Sequence, residues 1–135
     1  MIGHEEERMA VQFLSDEWTS AVSEALNANA AFKTAIAPLS AKIQQVVTTG
    51  DGEKRYWFKL EGGEAQLGTG DLEGAETTIT QDYDTAVKLS TNELTGTAAY
   101  MGGKLKVSGD MMKLLQLQGA LGQMPAALAG LDVEY

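Results

Sequence analysis

Residues 102–118, GGKLKVSGDMMKLLQLQ, constrain this chain more than any other stretch. Gly102 and Gly103 open it, and Lys104 to Val107 alternate charged and apolar with the two-residue period of a strand. Gly109 then breaks the run, and Asp110 is placed to cap a helix beginning at Met111. A strand-to-helix switch this compact is a fold signature. The helix carries Met111, Met112, Leu114, Leu115 and Leu117 where a catalyst would place acids, bases or nucleophiles, so what matters is what this helix touches.

The 135 residues are enough for one domain with one hydrophobic core and no covalent staple. The absence of cysteine removes disulfides, thiolate nucleophiles and zinc knuckles, and fits a reducing compartment. A formal charge of -9 works against nucleic acid and against lasting attraction to an anionic bilayer, leaving at most transient membrane contact. The cations Lys104, Lys106 and Lys113, with Lys54, Arg55 and Lys59 upstream, read as a solvated sheet face and helix edge. The start, MIGHEEER, holds the lone His4 and has no apolar core of signal-peptide length. With no membrane-spanning run either, the expectation is a soluble, cytoplasmic protein.

In chain order, Ser15 can cap a helix whose apolar stripe is Trp18, Ala21, Val22, Ala25 and Leu26. Asn27 and Asn29 interrupt it, and a shorter helix follows with Phe32, Ala35, Ile36 and Leu39, ended or bent by Pro38. IQQVVTT and KRYWFKL form a hairpin about Gly50, Asp51 and Gly52. Its second strand turns Tyr56, Phe58 and Leu60 one way and Arg55, Trp57 and Lys59 the other. Strands AQLGTG and ETTIT follow, and four strands in succession predict an antiparallel meander. The glycines of GTGDLEG superficially match a dinucleotide loop, but a strand comes next where a helix should open, so no cofactor is expected. Asp82 caps a helix with Ala86, Val87 and Leu89, AAYM makes a small helical piece, and the 102–118 unit runs into an Ala-, Leu- and Gly-rich end suited to a lid or a frayed helix. Serine nucleophiles have no histidine but His4, and Asp82 with Asp84 offers too few ligands for a metal, so no catalytic or metal site is expected.

From Ile79 to Gln118 the order of features resembles the sterol carrier protein type-2-like lipid-transfer domain: strand TTIT, acid-capped helix DYDTAVKL, AAYM, then GGKLKVSGD and MMKLLQLQ. FLSDEW and YWFKLE upstream also look like bacterial and archaeal members, so the resemblance covers nearly the whole chain. It implies an α+β fold, 1–135 as a single domain, in which a five-stranded mostly antiparallel sheet is covered by about five helices. Between sheet and helices it implies an apolar tunnel for a fatty acid, fatty acyl-CoA or sterol-like molecule. The residues expected to line that tunnel are Phe32, Ile36, Phe58, Tyr100, Met101, Leu105, Met111, Met112, Leu114, Leu115, Met124 and Leu128, with Gln118 at its mouth as a neutral donor and acceptor. The alternatives are an interaction or homodimerisation domain with a filled core, and an accessory to acyl-CoA enzymes using Lys104 and Lys106.

Overall fold

In the computed structural model, residues 10–91 and 93–135 are described, with the backbone alone at positions 118 and 125. His4 and the rest of the acidic start lie outside the described residues. The strands are β1 (Val11–Gln12), β2 (Ala41–Thr49), β3 (Gly52–Glu61), β4 (Glu64–Thr69), β5 (Thr77–Asp82), β6 (Lys106–Gly109) and β7 (Val133–Glu134), with no helix between β2 and β5. The helices are α1 (Asp16–Ala28), α2 (Ala30–Ile36), α3 (Tyr83–Ser90), α4 (Gly96–Met101), α5 (Met111–Leu121) and α6 (Met124–Ala127).

The main sheet has five strands in the order β4-β3-β2-β5-β6, and β1 pairs with β7 in a separate parallel ribbon. β2 and β3 form the expected hairpin, in register from Ala41 opposite Leu60 to Thr49 opposite Gly52. Gly62 and Gly63, both at positive φ, make the tight turn into β4. There the expected meander stops. β5 does not continue past β4 but returns to the free edge of β2 and pairs with it in parallel, from Ile43 opposite Thr77 to Thr48 opposite Asp82.

Side chains hold this return path in place. Gln44 Nε2 donates to Tyr56 O at 3.1 Å and Gly70 O at 3.0 Å, while its Oε1 accepts from Leu72 N at 2.8 Å. Further along, Glu76 N donates to Lys42 O at 2.8 Å and Lys42 N donates to Glu76 Oε1 at 3.0 Å. Alternation along a strand reports its faces and is silent about its partners, which is why the crossover is invisible in the residue pattern.

β6 closes the sheet antiparallel to β5, from Thr77 opposite Gly109 to Thr80 opposite Lys106. It is shorter and later than the alternation suggests: Lys104 and Leu105 precede it, and Gly109 is its last residue rather than the break after it. At the other edge, α1 covers the backbone of β4. Asn27 brackets Ala65, with Nδ2 donating to its carbonyl at 2.8 Å and Oδ1 accepting from its N–H at 2.9 Å, and Ser23 Oγ accepts from Leu67 N at 2.8 Å. Side chains so placed occupy groups that would otherwise template another strand.

The main hydrophobic cluster lies on one face of the sheet. Ile43 and Val47 of β2, Phe58 and Leu60 of β3, Leu67 of β4 and Ile79 of β5 meet Trp18, Val22 and Leu26 of α1, Phe32 and Ile36 of α2, and Leu117 of α5. On the opposite face, half-buried Trp57 lies over Gly68 of the neighbouring strand, with Cε2 only 2.6 Å from where a side chain at Gly68 would begin. Both tryptophans therefore pack as the sequence suggests, Trp18 in the core and Trp57 on the sheet face.

The caps read from the sequence form. Ser15 Oγ accepts from Trp18 N, Asp82 Oδ1 from Thr85 N and Asp110 Oδ1 from Lys113 N. Asn29, expected only to interrupt the first helix, ends α1 and also caps α2 through Phe32 N. The Thr85 amide, followed by the Thr85 hydroxyl, holds the Asp82 carboxyl below its ordinary pKa against a small opposing effect of burial, with Lys104 and Lys88 helping through charge. A carboxylate whose pKa is lower folded than unfolded stabilises the fold above its unfolded value, near pH 4, and that contribution fades as pH falls through the folded value. Asp82→Ala is expected to cost about 1 kcal/mol at pH 7, and the gap between the two proteins is expected to close in acid; urea melts at pH 7 and pH 3 check it.

Candidate ligand-binding site

α5 decides what the 102–118 unit does. Its buried side are Leu117 and Ala120, with Leu114 and Leu121 half-buried against the core, while Met112 and Leu115 stand 62% and 58% exposed and Met111 is partly covered. The helix is launched from the sheet edge by Asp110, whose N–H donates to Glu76 O at 3.0 Å and whose carbonyl accepts from Thr77 Oγ1 at 2.8 Å. Lys113 Nζ donates to Ser40 O at 2.8 Å, tying the same turn to the end of the α2–β2 connection.

The residues expected at the site fall into three groups. Phe32, Ile36 and Phe58 are closed into the core beneath α1 and α2. Leu105, Leu114, Met124 and Leu128 are half-buried along the margin of that core, on the segments before β6, within α5 and around α6. Tyr100, Met101, Met111, Met112 and Leu115 are exposed, Met101 by 80%, and with Tyr135 they are the large exposed apolar side chains among the described residues. The side chain of Gln118 lies outside what the structure describes.

Two polar residues on the core face were not anticipated. Odd positions of β2 and of β5 face the helices, so Gln45 stands beside Ile43 and Val47, and Gln81 beside Thr77 and Ile79. Gln81 Nε2 donates to Gln45 Oε1 at 2.8 Å. The signal was available: TTITQD has the strand period, and it sets Gln81 on the same side as Ile79. The next residue on this face, Tyr56 of β3, sits edge-on to Trp18 at 5.1 Å between ring centres, and burial pushes its phenol above the ordinary range.

Two clefts open at the margins. One, of about 190 Å³, lies between Trp18, the end of α3 at Ser90 and Thr91, and the segment from Leu128 to Tyr135. The Tyr135 hydroxyl is 2.9 Å from Ser90 Oγ and its ring leans on Phe13, so this segment is strapped across the opening. The other, of about 440 Å³, is open and lies at the hairpin tip between Thr49, Lys54 and Tyr83. Among the described residues no cluster of acids and histidines could hold a metal ion, and no helix is long and apolar enough to cross a membrane.

A helix-covered five-stranded sheet with a β6–α5 switch and a half-buried apolar margin defines a small α+β fold, and the comparisons give it a family. The SCP-2 sterol transfer family model matches residues 16–122, and the chain belongs to that family. Hydroxysteroid dehydrogenase-like protein 2 of Xenopus tropicalis is 34% identical over 87 residues, which are 64% of this chain and 21% of that protein. The chain therefore matches about a fifth of the length of that curated relative. Sterol carrier protein 2 from Yarrowia lipolytica, in its apo form, has a TM-score of 0.64 at 21% identity, covering 88% of this chain and 97% of its own. Palmitated SCP2L2 from Aedes aegypti has a TM-score of 0.58 at 20% identity, covering 76% and 92%. At such identities the structures show the shared fold.

Proposed function

We propose that this chain is a single non-catalytic domain that binds and transfers a lipid by reversible uptake of an apolar chain between sheet and helices. The observation that carries the reading is the family match across residues 16–122, which takes in every strand of the main sheet and all of α5. The palmitate carried by the Aedes aegypti relative supports a fatty acyl chain as one class of ligand. Each methylene taken out of water stabilises a complex by about 0.8 kcal/mol, so a sheltered apolar surface is sufficient and no reacting group is needed.

In this reading Leu105, Leu114, Met124 and Leu128 form the wall that yields to the ligand, and Tyr100, Met101, Met111, Met112 and Leu115 form an apolar mouth. Phe32, Ile36 and Phe58 are the floor. Methionine suits the mouth because its unbranched, polarizable side chain repacks around differing shapes. The dehydrogenase part of the Xenopus tropicalis relative's name is not carried over, since the match spans only 21% of that protein.

Saturable binding of a fluorescent fatty acid is expected, together with lipid retained by gently purified protein in native mass spectrometry. No retained lipid and no saturation would sink the reading. The closed packing of Phe32 and Phe58, with bare Met101, Met112 and Leu115 outside, favours a second reading: a dimerisation domain without a usable cavity. A concentration-dependent dimer by sedimentation, unaltered by lipid, would favour it over the first.

A further inference from the structure

We propose that Gln81 is the polar anchor of the ligand site, its Oε1 accepting a hydrogen bond from the hydroxyl of an otherwise apolar lipid. The proposal rests on the lipid-carrier reading and adds to it a preference for a neutral hydroxyl head over heads that only accept hydrogen bonds.

Two buried glutamines frame the inference. Gln44 and Gln81 are each 5% exposed, on neighbouring strands but opposite faces of the sheet. Gln44 is fully used: its amide nitrogen reaches the carbonyls of Gln45, Tyr56 and Gly70, and its oxygen takes the Leu72 N–H. That is a structural role, and the fold completes it. Gln81 is different. Its nitrogen is engaged by Gln45, yet its Oε1 is, among the described residues, the buried side-chain nitrogen or oxygen without a partner. Buried acceptors are almost always paired, and one held unpaired by its neighbours is costly unless something else supplies the donor.

The surroundings say what that donor belongs to. Gln81 projects to the helix-covered face with Ile79 beside it along β5 and Val47 opposite it on β2. Along β5 the same face leads back through Ile79 to Thr77, whose hydroxyl is bound to Asp110 at the head of α5. Four residues of strand separate Thr77 from Gln81, about 13 Å, the reach of a medium-length alkyl chain. Toward the hairpin tip, Lys54 shares the row of Val47 and Gln81 and lines the open cleft. The acceptor therefore lies at the polar end of an apolar track, one step inside the surface. An oxygen acceptor selects a donor: an alcohol fits, whereas an ether or an ionised carboxylate offers only lone pairs.

The test uses the full chain with 1-dodecanol and dodecyl methyl ether as competitors of a fluorescent fatty acid, in wild type and in Gln81→Met. The alcohol is expected to bind wild type about tenfold more tightly than the ether, the scale of one buried hydrogen bond. Gln81→Met is expected to bring that ratio to about one while leaving ether binding in place. A ratio near one in wild type overturns the anchor and leaves lipid binding standing, the result if water satisfies Oε1. Preference for the ether overturns it too, because the amide would then present its NH2. Retention of the alcohol preference in Gln81→Met does the same. If wild type takes up neither competitor nor the fluorescent acid, the carrier reading and the anchor fall together. The wild-type ratio stands whether or not the variant folds, and thermal melting of the variant confirms that its comparison is of folded protein.

Discussion

Gly109→Ala is expected to destabilise the protein by about 3 kcal/mol or more, read as a loss of urea midpoint with an unchanged slope. Gly109 has φ of +97°, where a side chain meets its own backbone, and a Cβ there would run into the Glu76 carbonyl and come within 3.1 Å of Thr77 Cα. Both obstacles are backbone of the adjoining segment and strand, so neither can rotate away. The Glu76 carbonyl also accepts the Asp110 N–H, and the Thr77 hydroxyl donates to the Asp110 carbonyl, the two bonds that launch α5. Damage at Gly109 is therefore expected to reach α5, and hydrogen exchange of α5 in the variant should rise more than that of the β2–β3 hairpin. Equal stability of variant and wild type would show that this junction does not hold the unit together.

Phe32→Ala is expected to cost about 3–5 kcal/mol. Phe32 is completely buried, with Ile36 one turn on, at the place where α2 meets the shared core. For a chain of this size each kcal/mol corresponds to about 2–4 °C, so a large fall in melting temperature should be measurable without ligand. The outcome also separates two roles. A residue of the floor supports the empty protein, whereas one that only touches ligand would leave its melting unchanged and weaken lipid binding alone.

Local geometry was legible to the degree that local chemistry decides it. Ser15, Asp82 and Asp110 could be placed because a short side chain before an apolar stripe satisfies free amides within one turn, and each does so. The β2–β3 hairpin could be read because its alternation and its Gly-Asp-Gly turn agree. The destination of β5 could not, since it depends on Gln44 and Lys42 holding residues 70–76 across the sheet. Nor could the phase of α5. Its residues are apolar nearly all round, so periodicity does not tell Leu114 and Leu117, which turn inward, from Met112 and Leu115, which turn out. For the candidate site, the apolar composition was legible, and the strand period also sets Gln81 in the row of Ile79, but only once β5 is known to run past Thr80 to Asp82.

The parallel seam between β2 and β5 also imposes an order on synthesis. The hairpin of β2 and β3 is complete when residue 61 has emerged, and β4 can join it at once, but β5 is still to come. During that interval the far side of β2, from Ile43 to Thr48, offers a row of unpaired amides and carbonyls next to the apolar side chains of Ile43 and Val47. Closing it joins residues about 34 apart, a longer loop than either hairpin requires. The nascent chain is thus most exposed to mispairing in the span between β4 and β5, and a slowed ribosome there would lengthen the life of the bare seam.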